Sequence, residues 1–290
     1  MHISRLFNEH RPTFSIELFP PKTPQGVENL KAKLTEIAAH HPDFISVTYG
    51  AGGGTRHTTR EISGFIQRKL GLEAMAHLTC SSHTRTEIRE VVAGLREEGV
   101  ENIMALRGDP PKGETQFETP PEGFKYAVEL VRALKEMKGL GIAVAGYPEG
   151  HVETGDYQKS LRHQMEKIQA GADFVVSQFF LDNDSFLRWR DDLVKAGVKV
   201  PIVAGILPAI GLEQITRFAA LCGARVPETL AHDLERFQDH PESAAGYGLV
   251  YALQQVHNLL SEGVDGIHLY ALNRLESIRL VSALVTVHRR

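Results

Sequence analysis

Hydrophobic residues along this chain follow two alternating spacings. Short runs rich in β-branched and other apolar residues recur, and each precedes a longer stretch whose apolar residues repeat about every 3.6 positions. The short runs predict eight β-strands, at residues 14–19, 43–49, 73–79, 102–107, 142–147, 173–179, 201–207 and 266–272. The longer stretches predict helices at about residues 27–39, 57–69, 84–99, 122–138, 157–170, 183–196, 211–221, 243–262 and 274–287.

This order of elements predicts an α/β fold with a parallel sheet. Closed on itself, such a sheet is a (β/α)8 TIM barrel. An open doubly wound sheet is the alternative, but it usually has a glycine-rich phosphate turn after its first strand, where this chain has the proline-rich residues 19–26. No linker divides residues 1–290, so we expect one catalytic barrel domain. An extra helical segment, VPETLAHDLERF (residues 226–237), is expected between the seventh and eighth strands.

Polar residues collect where the predicted strands end. In barrel enzymes the active site is built from the carboxyl ends of the strands and the loops that follow. One polar residue at a strand end is usually a loop residue that meets water, but here the pattern recurs at seven of eight ends. It predicts one lined opening, formed by Glu17, Thr48, Tyr49, His77, Thr79, Arg107, Asp109, Tyr147, Gln178, Asn273 and Arg274.

Composition narrows the class of protein. A formal charge of −4 and a pI near 6.4 leave no basic surface of the kind that binds nucleic acid. Cys80 and Cys222 are the two cysteines and form no CxxC motif, so no disulfide framework is indicated. No apolar run has the length of a signal peptide core or of a membrane span. We therefore expect a cytoplasmic protein without a membrane partner.

Three segments resemble common functional motifs, but each lacks a residue that the motif requires. GAGGGT (residues 50–55) has Thr55 where a dinucleotide fingerprint needs glycine, and GDPPKGET (residues 108–115) has Glu114 where a P-loop needs lysine. HLTCSSH (residues 77–83) spaces two histidines and a cysteine like zinc ligands, but a site needs more ligands than this, so no metal is expected. Without HExxH or GxSxG, nothing supports phosphoryl transfer, zinc hydrolysis or serine hydrolysis.

Eight segments together resemble one family, the flavin-dependent 5,10-methylenetetrahydrofolate reductases in their short bacterial form. They occur in family order across essentially the whole chain: FSIELFPPK (14–22), FISVTYGAGG (44–53), AHLTC (76–80), IMALRGDPP (103–111), VAGYPEGH (144–151), SQFFLD (177–182), GILP (205–208) and LYALNR (269–274). Any one of them is weak, whereas the set is specific. The long regulatory domain of eukaryotic members is not expected.

The resemblance implies a ping-pong hydride relay at the carboxyl end of a TIM barrel. NADH or NADPH would reduce FAD and leave, and methylenetetrahydrofolate would then take the hydride to become 5-methyltetrahydrofolate, the methyl donor for methionine synthesis. A homo-oligomer is expected. Two other functions remain open: a pterin-binding barrel methyltransferase without flavin, and a folate-binding subunit that has lost catalysis.

The resemblance also assigns residues, by matching position. Glu17 matches the essential acid and Asp109 a second catalytic position. The flavin-binding positions are Tyr49, Ala51, His77, Arg107, Gly108, Asp109, Tyr126, Ala127, Tyr147, His151 and Lys167. Nicotinamide contacts are expected at Thr48 and Gln178, and folate contacts at Asp109, Gln178, Gln214, Phe218 and Arg274. Ser160, His163 and Glu166 depart from the family where the adenosine half of FAD binds.

The residue types suit the implied chemistry. Methylenetetrahydrofolate accepts hydride only after protonation of N10 opens its ring to an N5 iminium cation, which calls for a general acid. Burial against the apolar residues beside it in the first strand is expected to raise the pKa of Glu17 for this role. The alternative is a structural ion pair between Glu17 and a cation such as Arg274. A negative Asp109 near the flavin would favour hydride donation and stabilise the iminium.

Overall fold

A computed structural model gives the structure of residues 1–9, 11–50, 55–81, 83–108 and 119–289. Within these ranges, eight parallel strands pair in chain order and the last pairs with the first, so the sheet is a closed barrel. The strands are β1 (Thr13–Leu18), β2 (Phe44–Val47), β3 (Glu73–Thr79), β4 (Asn102–Leu106), β5 (Gly141–Gly146), β6 (Phe174–Ser177), β7 (Ile202–Ile206) and β8 (Gly266–Tyr270). The predicted TIM barrel is confirmed, and the open sheet is excluded because β1 pairs with β8.

Helices cover the outside of the barrel. Those assigned in the described ranges are α1 (Pro24–Ala38), α2 (Arg56–Lys69), α3 (Arg85–Glu97), α4 (Ala127–Glu136), α5 (Tyr157–Gln169), α6 (Asn183–Lys195), α7 (Leu212–Cys222), α8 (Glu228–Glu235), α9 (Pro241–Ser261) and α10 (Leu275–His288). Short 3-10 helices lie at Ile3–Glu9 and Val152–Thr154. The extra helix predicted between the last two strands is confirmed as α8.

Element ends are predicted less accurately than the elements themselves. The helix expected at residues 122–138 is shorter at its start, because Gly123 instead forms an isolated bridge with Thr84. β2 begins just after Asp43, whose carboxylate accepts a hydrogen bond of 2.6 Å from the backbone N–H of Phe14. A side chain that takes the place of a backbone acceptor at a strand end does not alter the hydrophobic pattern. The sequence therefore does not predict where such a strand begins.

The end of the barrel interior nearest the strand starts is apolar. Inward-facing side chains meet there in one cluster: Phe44, Met75, Met104, Phe174 and Val203. The first 3-10 helix packs Ile3 and Leu6 against this cluster, and the backbone N–H of Ile3 donates to the buried Asn102 Oδ1 at 2.9 Å. This closing segment was not among the predicted elements. It leaves the opposite end of the barrel as the route into the interior.

A second apolar core lies above the end of β7. Residues of α7, α8 and α9 form it, among them Ile215, Leu230 and Ala244. The Tyr251 hydroxyl donates to the carbonyl oxygen of Leu181 at 2.5 Å, which joins α9 to the loop after β6. The additional helices therefore support α7, which carries two of the expected folate contacts.

Two glycines of α9 form a matched pair for testing this packing. A Cβ on Gly248 would overlap the carbonyl oxygen of Ala209, whereas a Cβ on Gly246 would meet no heavy atom within 4 Å. Gly248→Ala should lower the free energy of unfolding by about 1–3 kcal/mol or more, because the backbone must shift. Gly246→Ala should raise it by about 0.5–1 kcal/mol, since alanine loses less conformational entropy in a helix. Urea unfolding measures both, and equal effects would contradict the close contact.

Candidate active site

The barrel interior becomes polar toward the carboxyl ends of the strands. Side chains of a strand alternate between its two faces, so every second residue of each strand points inward. Five inward side chains from four strands meet at this level, each at least nine-tenths buried: Ser15, Glu17, Ser46, His77 and His268. The one carboxylate among them is enclosed by groups from other strands.

Two histidines flank the same oxygen of Glu17. Its Oε2 lies 3.3 Å from His77 Nε2 and 3.5 Å from His268 Nε2. Each ring also has a serine partner: Ser46 Oγ lies 3.3 Å from His77 Nε2, and Ser15 Oγ lies 2.7 Å from His268 Nδ1. Within the described residues, the buried His268 Nε2 makes no well-formed hydrogen bond, so its contact with the carboxylate is electrostatic.

The histidines decide the ionisation of this carboxyl group. Burial by itself raises the pKa of Glu17, but the charge of His77 and the contact with His268 outweigh burial and lower the pKa overall. Burial lowers the pKa of His77 in turn. Glu17 is therefore held as a carboxylate by its neighbours.

The expected cause of a raised Glu17 pKa was wrong. Ile16 and Leu18 alternate with Glu17 and pack in the layer between barrel and helices, so they do not surround its carboxyl group. Phe19 is 42% exposed. The alternative pairing with Arg274 is also not found: Arg274 is exposed, and the ion-pair contacts of Glu17 in the described residues are with histidines.

A cavity of about 470 Å³ opens between the ends of β4 and β5 and helix α5. It brings together six of the expected flavin-binding residues: Arg107, Tyr126, Ala127, Tyr147, His151 and Lys167. The rings of Tyr147 and His151 meet edge to face with centroids 4.7 Å apart. The cavity is thus lined by aromatic surface and by cations, the two kinds of group that a flavin nucleotide needs.

Two cations of this cavity, Arg107 and Lys167, already have partners within the protein. Arg107 donates through both terminal nitrogens to the two carboxylate oxygens of Glu153, each at 2.5 Å, and this contact lowers the pKa of Glu153. Lys167 Nζ donates to the carbonyl oxygen of Ala145 at 2.5 Å and lies 5.2 Å from the Tyr147 ring centroid. Bidentate pairing with a carboxylate is the geometry that arginine also uses for phosphate, so Arg107 is oriented for an anion.

The three residues that depart from the family also line the cavity. Ser160 is buried, and its Oγ accepts a hydrogen bond of 2.9 Å from the backbone N–H of His151. His163 and Glu166 are exposed at the outer wall. Ser160 therefore makes a loop contact within the protein, while His163 and Glu166 face solvent.

Four expected flavin contacts lie elsewhere or beyond the described residues. Tyr49 packs between barrel and helices with its hydroxyl 3.1 Å from His83 Nε2, and burial raises its pKa to about 12. His77 lines a different cavity and faces Glu17. Ala51 and Asp109 lie outside the described residues, so the structure neither supports nor opposes their assignment.

Three of the expected folate contacts lie just after β6 and on α7. Gln178 directly follows β6, and its Oε1 accepts from the backbone N–H of Phe179 at 3.0 Å. Gln214 and Phe218 lie one turn apart on α7, where Gln214 Oε1 accepts from the backbone N–H of Ile210 at 3.3 Å. Thr48, which follows β2, is partly exposed at the same end of the barrel. These side chains are positioned to contact a ligand bound above the barrel without a rearrangement of the backbone.

Sequence reasoning missed His268 and Gln164. His268 lies in the middle of a predicted strand, where a histidine between apolar neighbours attracts no attention. The period-two pattern contains a signal, because Gly266, His268 and Tyr270 share one face of β8. Gln164 lies on α5 with its side chain buried beneath the cavity, and nothing in its spacing marks it.

The sequence of this chain was compared with models of known protein families. The model of the methylenetetrahydrofolate reductase family matches residues 2–285. The chain belongs to the methylenetetrahydrofolate reductase family. The predicted resemblance is therefore confirmed.

Bacterial and plant members of the family illustrate the similarity. The 5,10-methylenetetrahydrofolate reductase of Pectobacterium carotovorum is 39% identical over 269 residues, which cover 92% of this chain and 87% of that protein. Methylenetetrahydrofolate reductase (NADH) 1 of Arabidopsis thaliana is 36% identical over 282 residues, covering 93% of this chain and 48% of the plant protein. The chain thus spans about half the length of the plant relatives.

Solved structures agree on the fold of this family member. A Clostridium thermocellum protein described as binding two copies of 5-methyl-5,6,7,8-tetrahydrofolic acid matches 99% of this chain and 98% of its own, with a TM-score of 0.63 and 14% identity. At that identity the likeness concerns the fold alone. In the described part of the chain, no helix has the length and apolar character needed to cross a membrane. The same residues contain no group of three or more potential metal ligands.

Lys167→Met tests the buried ammonium group. Burial lowers the pKa of Lys167 from 10.5 to about 8, so between these values the unfolded chain binds a proton that the folded chain does not. The stability of the wild-type protein relative to the variant should therefore rise as pH increases through this window, and stay constant below it. Urea unfolding of both proteins across that pH range measures the difference. A difference that is flat, or that falls with pH, would contradict a lowered pKa.

Proposed function

We propose that this chain reduces 5,10-methylenetetrahydrofolate to 5-methyltetrahydrofolate, using FAD and NADH or NADPH. The observation that supports this most directly is Glu17, a carboxylate buried between two histidines at the carboxyl end of a barrel of this family. Reduction of this folate needs a proton at N10 as well as a hydride, and the cluster is built to hold and move a proton. The cavity at the ends of β4 and β5 suits the cofactor that the reaction requires.

The residues around the 470 Å³ cavity fit FAD. Arg107 and Lys167 would hold the diphosphate, Arg107 by exchanging its Glu153 partner for phosphate oxygens. Tyr147 and His151 would contact the flavin side, and Tyr126 and Ala127 the nucleotide side. When bound, FAD supplies the hydride carrier that the side chains of this protein cannot provide.

Glu17 would deliver the proton that opens the folate ring. Its carboxylate is stabilised by His77 and His268, so a proton must first reach the cluster. Folate bound above the barrel would exclude water and place a developing cation nearby, and the proton shared by the cluster could then pass through Glu17 to N10. His77 and His268 would hold the Glu17 carboxyl group in place, and Ser46 and Ser15 would orient their rings.

The substrates would bind on the side of the opening formed by β6, α7 and the loop after β8. Gln178 and Thr48 would contact the nicotinamide, and Gln178 would then contact the folate. Phe218 would stack on a flat ring of the folate, Gln214 would bond its polar edge, and the exposed Arg274 would pair with its glutamate tail. Asp109 would add negative charge near the flavin and stabilise the iminium.

A flavin spectrum tests the proposal as a whole. The purified protein, as isolated or after addition of FAD, should show visible flavin absorbance. Anaerobic NADH or NADPH should bleach it, and methylenetetrahydrofolate should restore it. A folded protein that never takes up FAD would overturn the proposal and leave the methyltransferase alternative. Flavin that is retained but never reoxidised by the folate would instead indicate the non-catalytic subunit.

Glu17→Gln tests the proton donor, because glutamine keeps the shape of the side chain but cannot donate that proton. Stopped-flow reduction by NADH transfers a hydride directly and should stay within a few-fold of wild type. Reoxidation by methylenetetrahydrofolate should slow by roughly 10²–10⁴-fold, the usual contribution of a general acid. The first half-reaction is the internal control for folding and flavin retention. Reoxidation at the wild-type rate would show that the proton comes from another group.

A further inference from the structure

One buried amide binds the backbone of the loop that enters the cavity. Gln164 of α5 is 3% exposed, and its Oε1 accepts hydrogen bonds from the backbone N–H of Tyr147 at 2.7 Å and from Trp189 Nε1 at 3.1 Å. Its Nε2 donates to Ser160 Oγ at 3.2 Å and lies 3.4 Å from the carbonyl oxygen of Tyr147. The side chain therefore satisfies both backbone groups of the first residue after β5.

Trp189 determines which way this amide faces. An indole nitrogen can only donate a hydrogen bond, so the atom of Gln164 that faces it must be the oxygen. The indole of Trp189 is fully buried, and a Cβ on Gly146 would overlap its ring, so the indole packs directly on the end of β5. Neither the ring nor the amide has space to turn.

The other end of the loop is bound through Ser160. Its Oγ accepts from the backbone N–H of His151 at 2.9 Å while it receives the Gln164 Nε2 hydrogen bond. The loop from Tyr147 to His151 is thus tied to α5 at its first and last residues. The side chains of those two residues form the edge-to-face pair in the cavity wall.

We propose that Gln164 is a positioning residue for the cofactor, which sets the conformation of the loop between Tyr147 and His151 before ligand binds. This inference rests on the proposed function, because the ligand concerned is FAD. Gln164 acts by holding the loop in place and takes no part in the reaction itself. Removal of its amide would take away the acceptor that the N–H groups of Tyr147 and Trp189 share, which is unfavourable for buried donors. The loop would relax, and FAD would then have to order it on binding.

A matched pair of glutamine variants tests the proposal. Gln255 on α9 is also buried, at 6% exposed, and its Nε2 donates to the carbonyl oxygen of Phe180 at 3.3 Å and to Asn183 Oδ1 at 3.1 Å. Gln164→Leu and Gln255→Leu each remove one buried amide and keep a similar volume. The first touches the cavity loop, whereas the second lies outside the residues that line the cavity.

Three measurements are made on each apoprotein: the Kd for FAD by titration, urea unfolding, and the emission of the single tryptophan. Gln164→Leu should raise the Kd for FAD by about tenfold or more, which corresponds to about 1.4 kcal/mol. It should also shift the tryptophan emission, because the indole N–H loses its acceptor. Gln255→Leu should leave the Kd within about threefold of wild type.

Several results would contradict the proposed role of Gln164. Equal Kd values for Gln164→Leu and wild type, or equal increases in both leucine variants, would overturn the positioning role. Trp189→Phe keeps the bonds from Gln164 to Tyr147, so an increase in Kd as large as that of Gln164→Leu would assign the effect to packing and overturn it as well. Should Gln164→Leu not fold, Ser160→Ala replaces it and must raise the Kd. Wild-type protein that binds no FAD would refute the proposed function instead.

Discussion

The Glu17 carboxylate lies inside a closed barrel, where little water is present to stabilise its charge, so the neighbouring strands must do so. His77 from β3 and His268 from β8 provide that stabilisation at 3.3 and 3.5 Å from the same oxygen. Two opposing effects are balanced at this group: burial pushes the pKa of the carboxyl upward, and the imidazoles pull it downward and prevail. A ligand that changes either contribution can therefore move a proton.

The division of the barrel interior into two levels makes this balance possible. The lower level is filled by apolar side chains and closed by the first 3-10 helix, which keeps water from entering on that side. The upper level contains the serines and histidines around Glu17. A polar cluster of this kind is stable in a barrel only when its members satisfy one another, and the serine–histidine pairs largely do so.

Charge in the neighbouring cavity is arranged on a similar principle. Arg107 would be costly to leave unpaired in the cavity wall, and Glu153 pairs with it in the geometry that a phosphate would use. Glu153 is mostly exposed, so it can return to solvent when an anion takes its place. The protein thus keeps a cation oriented without an isolated charge, while Gln164 and Ser160 hold the adjacent loop.

Sequence periodicity alone determined the eight strands, the extra helix α8 and the location of polar residues at the strand ends, because such spacing records which face of each element is buried. It also singled out Glu17, since a carboxylate within an apolar strand needs a partner. Only the tertiary structure decided that the partners are His77 and His268, and that the pKa is lowered rather than raised. Those contacts depend on barrel closure and strand register, which join residues far apart in the chain and leave no local pattern. The amide of Gln164 became visible for the same reason, because its role arises from the packing of α5 and Trp189 against β5.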